Sequence, residues 1–243
     1  MASVVLSTAG CDDNDDEEEP SSQELVDEEE VADPEGGFYD GVDCESDGDK
    51  EVSPGDDTVL FGVVLAPDGQ LDGSPRAEVP QEGYLDIEAD DVINLIGGGV
   101  EVSLSRTDDL GEPEDEALAK TMTDERGRWC LSAKELAESE ANMVIIAGGV
   151  SERLRSLTMG AGQRHIEAGH EALLRLLVEE GHRPSKLKAH IYDELGRRAD
   201  DAIDDPAALV SSGMSVESYV ARLMETMGGD EALMEAIDAA HPE

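Results

Sequence analysis

The chain is 243 residues long and carries 60 acids against 17 lysines and arginines, a formal net charge of −43. That balance excludes a nucleic-acid surface, because phosphate binding needs clustered Lys and Arg to release counterions, and it excludes a polybasic contact with anionic lipid. No apolar run reaches the roughly 18 residues of a membrane-crossing helix, and with only 3% aromatics the core must be built from Leu, Val, Ile and Ala.

The first element is a scrap of apolar and small residues, Val4-Val5-Leu6, with no basic residue before it. It is shorter than the apolar stretch of a secretory signal, as if the true start lay upstream of Met1. Thr8-Ala9-Gly10-Cys11 follows and resembles the end of a bacterial lipobox. In that family small residues precede a cysteine that is diacylated on sulfur and becomes the mature N-terminus. The resemblance implies Cys11 as lipid acceptor and the membrane as a partner through that anchor. The family prefers Leu three positions before the cysteine, where this chain has Thr8. Asp12, next to the acceptor, would influence sorting in lineages that read that position.

Residues 1–57 hold 22 acids and a single base, Lys50, whereas the rest of the chain holds 38 acids and 16 bases. A segment so poor in apolar residues cannot offset its ordering entropy, and like charges extend it. Residues 12–57 therefore read as a disordered acidic tether. Within it, Asp43, Glu45, Asp47 and Asp49 alternate, with Gly48 at the sixth position, like the start of a calcium loop. Pro54 stands where the closing Glu belongs, so the segment reads as a solvated linker in which these carboxylates hold calcium only weakly. No other cofactor and no metal centre is expected. If Cys11 carries lipid, Cys44 and Cys130 remain as an even pair that an oxidising envelope compartment could bridge. Two unpaired thiols are the alternative.

From Thr58 the texture changes. "TVLFGVVLAPDG" predicts a strand closed by the turn Pro67-Asp68-Gly69. "GGVEVSLSR" alternates, with Val100, Val102 and Leu104 on one face. "KTMTDERGRWCLS" predicts a strand, a polar turn at Asp124 to Gly127, and another strand through Trp129 and Leu131. "NMVIIAGG" and "RLRSLTMG" predict two more strands side by side. Short strands with turn signals point to a small antiparallel β-sandwich.

The strand order, with Thr121-Met122-Thr123-Asp124 and Gly127-Arg128-Trp129, resembles the carboxypeptidase regulatory-like domain, a transthyretin-like β-sandwich. The resemblance covers about Val59 to Met159. It implies that the Asp-x-x-Gly turn closes a hairpin, that Trp129 packs inside, and that the domain binds or scaffolds without catalytic residues of its own. The stretch from Gln70 to Gly98 is an insertion against the family pattern, predicted as an extra strand or short helix.

From about Glu167 the period becomes helical. Leu173 with Leu177, and Leu174 with Val178, recur at four, and Gly181 can cap the end. Leu187, Ile191 and Leu195 repeat the spacing. Asp205-Pro206 reads as an N-cap and first helical position. Ser215 opens another helix, and a last short one follows Gly228-Gly229. His165 and His170 are five apart, the wrong spacing for a zinc pair on one helix. They read as exposed histidines at a strand-to-helix junction.

The expected architecture is α+β: a clipped signal-like segment at 1–11, the tether at 12–57, the sandwich at 58–162 and a helical region at 163–243. The expected function is a non-enzymatic lipid-anchored envelope protein with a structural or binding role, at the outer membrane or periplasmic face, whose partner is another envelope protein or a polysaccharide. Two other readings stand beside it: a soluble salt-adapted cytosolic binding protein, and an accessory module of a secreted hydrolase system.

Overall fold

The structure, a computed structural model, describes Cys44 and residues 56–67, 71, 74, 93–95, 97–138, 142–149, 152–158, 160–211 and 213–240, within the unit Gly36–Glu243. Strands β1 (Val59–Val63) and β2 (Leu65–Pro67) come from the first apolar run, interrupted at Val64. Strand β3 (Ile93–Leu95) lies in the insertion and pairs antiparallel with β2, so this part of the insertion is a strand. Next come β4 (Glu101–Arg106), β5 (Ala119–Met122) and β6 (Arg128–Ser132), the short helix α1 (Glu135–Glu138), then β7 (Met143–Gly148), β8 (Arg153–Thr158) and β9 (Gly162–Gln163).

Four strands form an antiparallel sheet in the order β5-β4-β7-β8, and three form a second sheet in the order β6-β1-β9. In the second, β6 runs antiparallel to β1 and β9 runs parallel to it. The molecule is thus a mixed α and β protein with mostly antiparallel sheets. Strands β5 and β6 are not ladder partners: one pairs with β4, the other with β1. The Asp-x-x-Gly turn therefore carries the chain from one sheet to the other instead of closing a hairpin.

The chemistry of that turn is explicit. Asp124 Oδ1 accepts the amides of Arg126 and Arg128, both at 2.9 Å, and Oδ2 accepts Arg128 Nε at 2.8 Å. Gly127 takes φ +74°, a left-handed conformation that costs a glycine nothing. Thr123 fixes the entry: its Oγ1 accepts the Val100 amide at 3.0 Å and donates to the Gly97 carbonyl at 2.8 Å. The same sequence, Thr-Asp-x-x-Gly, recurs at Thr107 to Gly111 with the same geometry. Asp108 Oδ1 accepts the amides of Leu110 and Glu112, each at 2.8 Å, and Gly111 takes φ +75°.

The helices are α2 (Ala168–Glu179), α3 (Ala189–Asp201), α4 (Val216–Gly228) and α5 (Glu231–Ala239). Ser215 and Asp230 cap α4 and α5 through the amides of Ser218 and Leu233, each cap contributing about 1 kcal/mol. Gly181 follows α2 at φ +84°. Asp205 accepts the Ala208 amide at 3.1 Å, but the helix it was expected to start is a single 3-10 turn, Ala207–Leu209. Helix α2 packs on β8, and α3 and α4 pack on α2. One continuous core runs from Leu60, Leu104 and Trp129 in the sheets to Leu173, Leu177, Val220 and Leu223 in the helices. Sheets and helices therefore share their buried surface, at about 1.5–3 kcal/mol for each large apolar side chain.

Two features place the functional region. After β9 the chain keeps running beside β1 and β2: Arg164 and Ile166 donate to the carbonyls of Phe61 and Val63, at 2.8 and 3.0 Å. Gly62 permits this approach, since a Cβ there would fall 1.8 Å from the Arg164 carbonyl oxygen. The outward amides of the edge strand β8 are taken by helix side chains: Glu171 accepts the Arg155 amide at 2.9 Å, and Tyr192 Oη lies 3.5 Å from the Leu157 amide. An edge so covered offers no template to another strand.

Candidate functional site

Cys44 and Cys130 are joined by a disulfide with a Cα–Cα distance of 4.6 Å. Cys130 is fully buried and sits opposite Phe61 in the β1–β6 ladder. Its neighbours Trp129 and Leu131 point into the core, so the sulfur occupies the opposite face of the sheet. The bridge spans 86 residues of sequence. Closing a loop of that size removes unfolded-state entropy of about 4–5 kcal/mol in the chain-entropy account. Cys11 and the carboxylates Asp43, Glu45, Asp47 and Asp49 lie outside the described residues, as do Asp68 and Gly69 of the expected turn.

The histidines are not simply exposed. His165 and His170 line an open cleft of about 390 Å³ between the end of β8, the β9–α2 junction and α3. His165 is partly buried, and burial lowers its affinity for a proton, with Glu167 opposing that effect and His170 adding to it. As placed, the Gln163 amide nitrogen meets His165 Nε2 at 3.1 Å. His170 Nδ1 lies 3.1 Å from the His165 carbonyl oxygen and must donate to it, since a carbonyl only accepts. Its Nε2 is turned toward Glu167 Oε1 at 3.7 Å.

Helix α3 supplies the facing wall. Tyr192 is buried there, and burial pushes its phenol up to about 12. Gly196 leaves open space where a Cβ would project. Asp200 is held above the usual carboxylate range, first by desolvation against the cleft wall and then by the Glu167 charge. Of the two arginines of the cleft, Arg197 binds Glu194, whereas Arg164 meets Asp193 loosely at 3.8 Å and its buried Nε has no hydrogen-bond partner among the described residues. Among the described residues no three His, Cys, Asp or Glu side chains converge as a metal centre requires.

Behind the cleft lies a buried ion network. Glu171 of α2 is wholly inaccessible and takes Arg155 Nη2 at 2.7 Å and Arg175 Nε at 2.6 Å, besides the Arg155 amide. Arg155 reaches on to the Gly111 carbonyl at 3.1 Å and Glu112 at 2.8 Å. Arg175 continues to Glu217 on α4. Sheet, loop and two helices are thereby joined by a network buried at Glu171 and Arg155 and open to solvent at Glu217. Sequence reasoning missed Glu171. The signal was present: it sits three before Leu174 and seven before Val178, an acid on the apolar stripe of its own helix.

Compared with known protein families, curated proteins and solved structures, the chain matches none.

Proposed function

We propose that this chain is a non-enzymatic, lipid-anchored envelope protein, with a transthyretin-like sandwich of the carboxypeptidase regulatory-like kind displayed at the end of an acidic tether. The observation that carries the reading is the Cys44–Cys130 bridge. A disulfide persists in an oxidising compartment and is rare where glutathione keeps thiols reduced. This one ties the acidic segment to the sheet face it borders, as a staple at the root of a tether would. The segment's excess of 22 acids over one base keeps it extended by self-repulsion. A mixed three-stranded sheet and an antiparallel four-stranded sheet around Trp129 are compatible with the sandwich assignment. The role is to hold a binding surface away from the bilayer toward another envelope protein or a polysaccharide.

The test is intact mass and membrane fractionation of the protein expressed with its native upstream region, beside Cys11→Ala. Expected is membrane-bound protein that has lost residues 1–10 and gained acyl mass, both abolished by the substitution. Unmodified protein in the soluble fraction, indifferent to Cys11→Ala, contradicts the anchor.

A further inference from the structure

We propose that residues 36–44 dock on the face of the β1–β6 pair turned away from the core, with Phe38, Tyr39 and Val42 as the side chains that cover it.

The argument starts from alternation along β1. Successive residues of a strand point to opposite faces, and directly paired residues share one. Leu60, paired with Leu131, and Gly62, paired with Trp129, face the core. Val59, Phe61 and Val63 face the other way, together with Cys130 opposite Phe61. A sheet face left to solvent carries polar residues. Here Val59, Val63 and Cys130 are all wholly buried, and none of the three belongs to the core that the sheets share with the helices. Strand β1 therefore has two buried faces, and the cover of the second is not that core.

The disulfide brings a candidate cover to this face. Cys44 is bonded to Cys130 at a Cα–Cα distance of 4.6 Å, so the chain next to Cys44 starts in contact with it. The stretch from Phe38 to Cys44 reaches up to about 20 Å, more than the roughly 13 Å from Val59 to Val63. Composition selects this upstream side. Phe38 and Tyr39 are the only aromatic residues among the first 57, and residues 36–44 carry 2 acids where residues 12–35 carry 14. The compact unit of the molecule also begins at Gly36, well before the first strand. Charge falls and apolar content rises just where the bridge delivers the chain to an apolar face. The acidic tether then ends at Glu35. This inference rests on the bridge and the strand pattern, not on lipid anchorage, and an unlipidated protein would leave it standing.

The experiment is nuclear Overhauser spectroscopy of the full oxidised chain, with valine methyls and aromatic rings labelled. Expected are cross-peaks from the Phe38 and Tyr39 rings to the methyls of Val59 and Val63, within one molecule. Phe38→Ser with Tyr39→Ser should abolish them and raise the fluorescence of an apolar dye several-fold, while the strand amide signals stay in place. Cross-peaks from these methyls to Tyr84, Leu85 or Ile87 instead would give the face to the insertion and overturn the proposal. So would contacts seen only between a labelled and an unlabelled copy, or Phe38 and Tyr39 rings with no contact to the sheet.

Discussion

Glu171 has no solvent contact and sits between two guanidinium groups. Two ions taken out of water repay their desolvation only when geometry and hydrogen bonds are nearly complete, and removing one partner leaves the other buried and unanswered. Glu171→Gln should therefore cost about 3–5 kcal/mol in urea unfolding. Glu217→Gln removes the exposed partner of the same Arg175 and should cost at most about 1 kcal/mol. Equal costs for the two substitutions would show that the network is solvated. The sequence reading singled out neither Glu171 nor Arg155, although an acid on an apolar helical stripe was there to be seen. Which basic residue answers it depends on the register of β8, which local pattern does not encode.

At the scale of elements, the alternation in β4, the apolar run of β7 and the pairing of β8 beside it were readable, and β4 and β7 bury a defined set of residues against the core. The start at Ser215 and the break at Gly228-Gly229 were readable because their chemistry is local, whereas the Asp230 cap was not singled out. Three further things were not readable. Strand β9 has two residues and is held by backbone pairing. The β2–β3 ribbon depends on pairing across a long insertion. The split of β5 and β6 between sheets turns on Thr123, whose hydroxyl and backbone lock to Gly97, Gly99 and Val100. The Asp124 loop should be a cornerstone of that crossing. Asp124→Ala removes the acceptor of two amides and the partner of the buried Arg128, and should destabilise by about 3 kcal/mol. Asp124→Asn, which can still accept both amides, should lose less than half as much. Chemical unfolding of the two variants separates them, and equal losses would mean that only the charge matters.

At the scale of the molecule, the acidic N-terminal segment, the sheets and the helices form a sequence of parts with different physics. The sheets and helices share one core. The Cys44–Cys130 bridge joins a residue of the acidic segment to the β6 strand. The composition shift near residue 57 was plain from the sequence. The pairing of the two cysteines was one of two open possibilities, because a Cα separation cannot be read from spacing. An exported, tethered protein requires that this bond exist in the cell. The most direct measurement is alkylation of the protein as it is taken from its native cells, followed by peptide mapping without reduction. The account expects one linked peptide pair containing Cys44 and Cys130, with neither sulfur alkylated. Both cysteines recovered alkylated and separate would place the chain in a reducing compartment and contradict the envelope assignment.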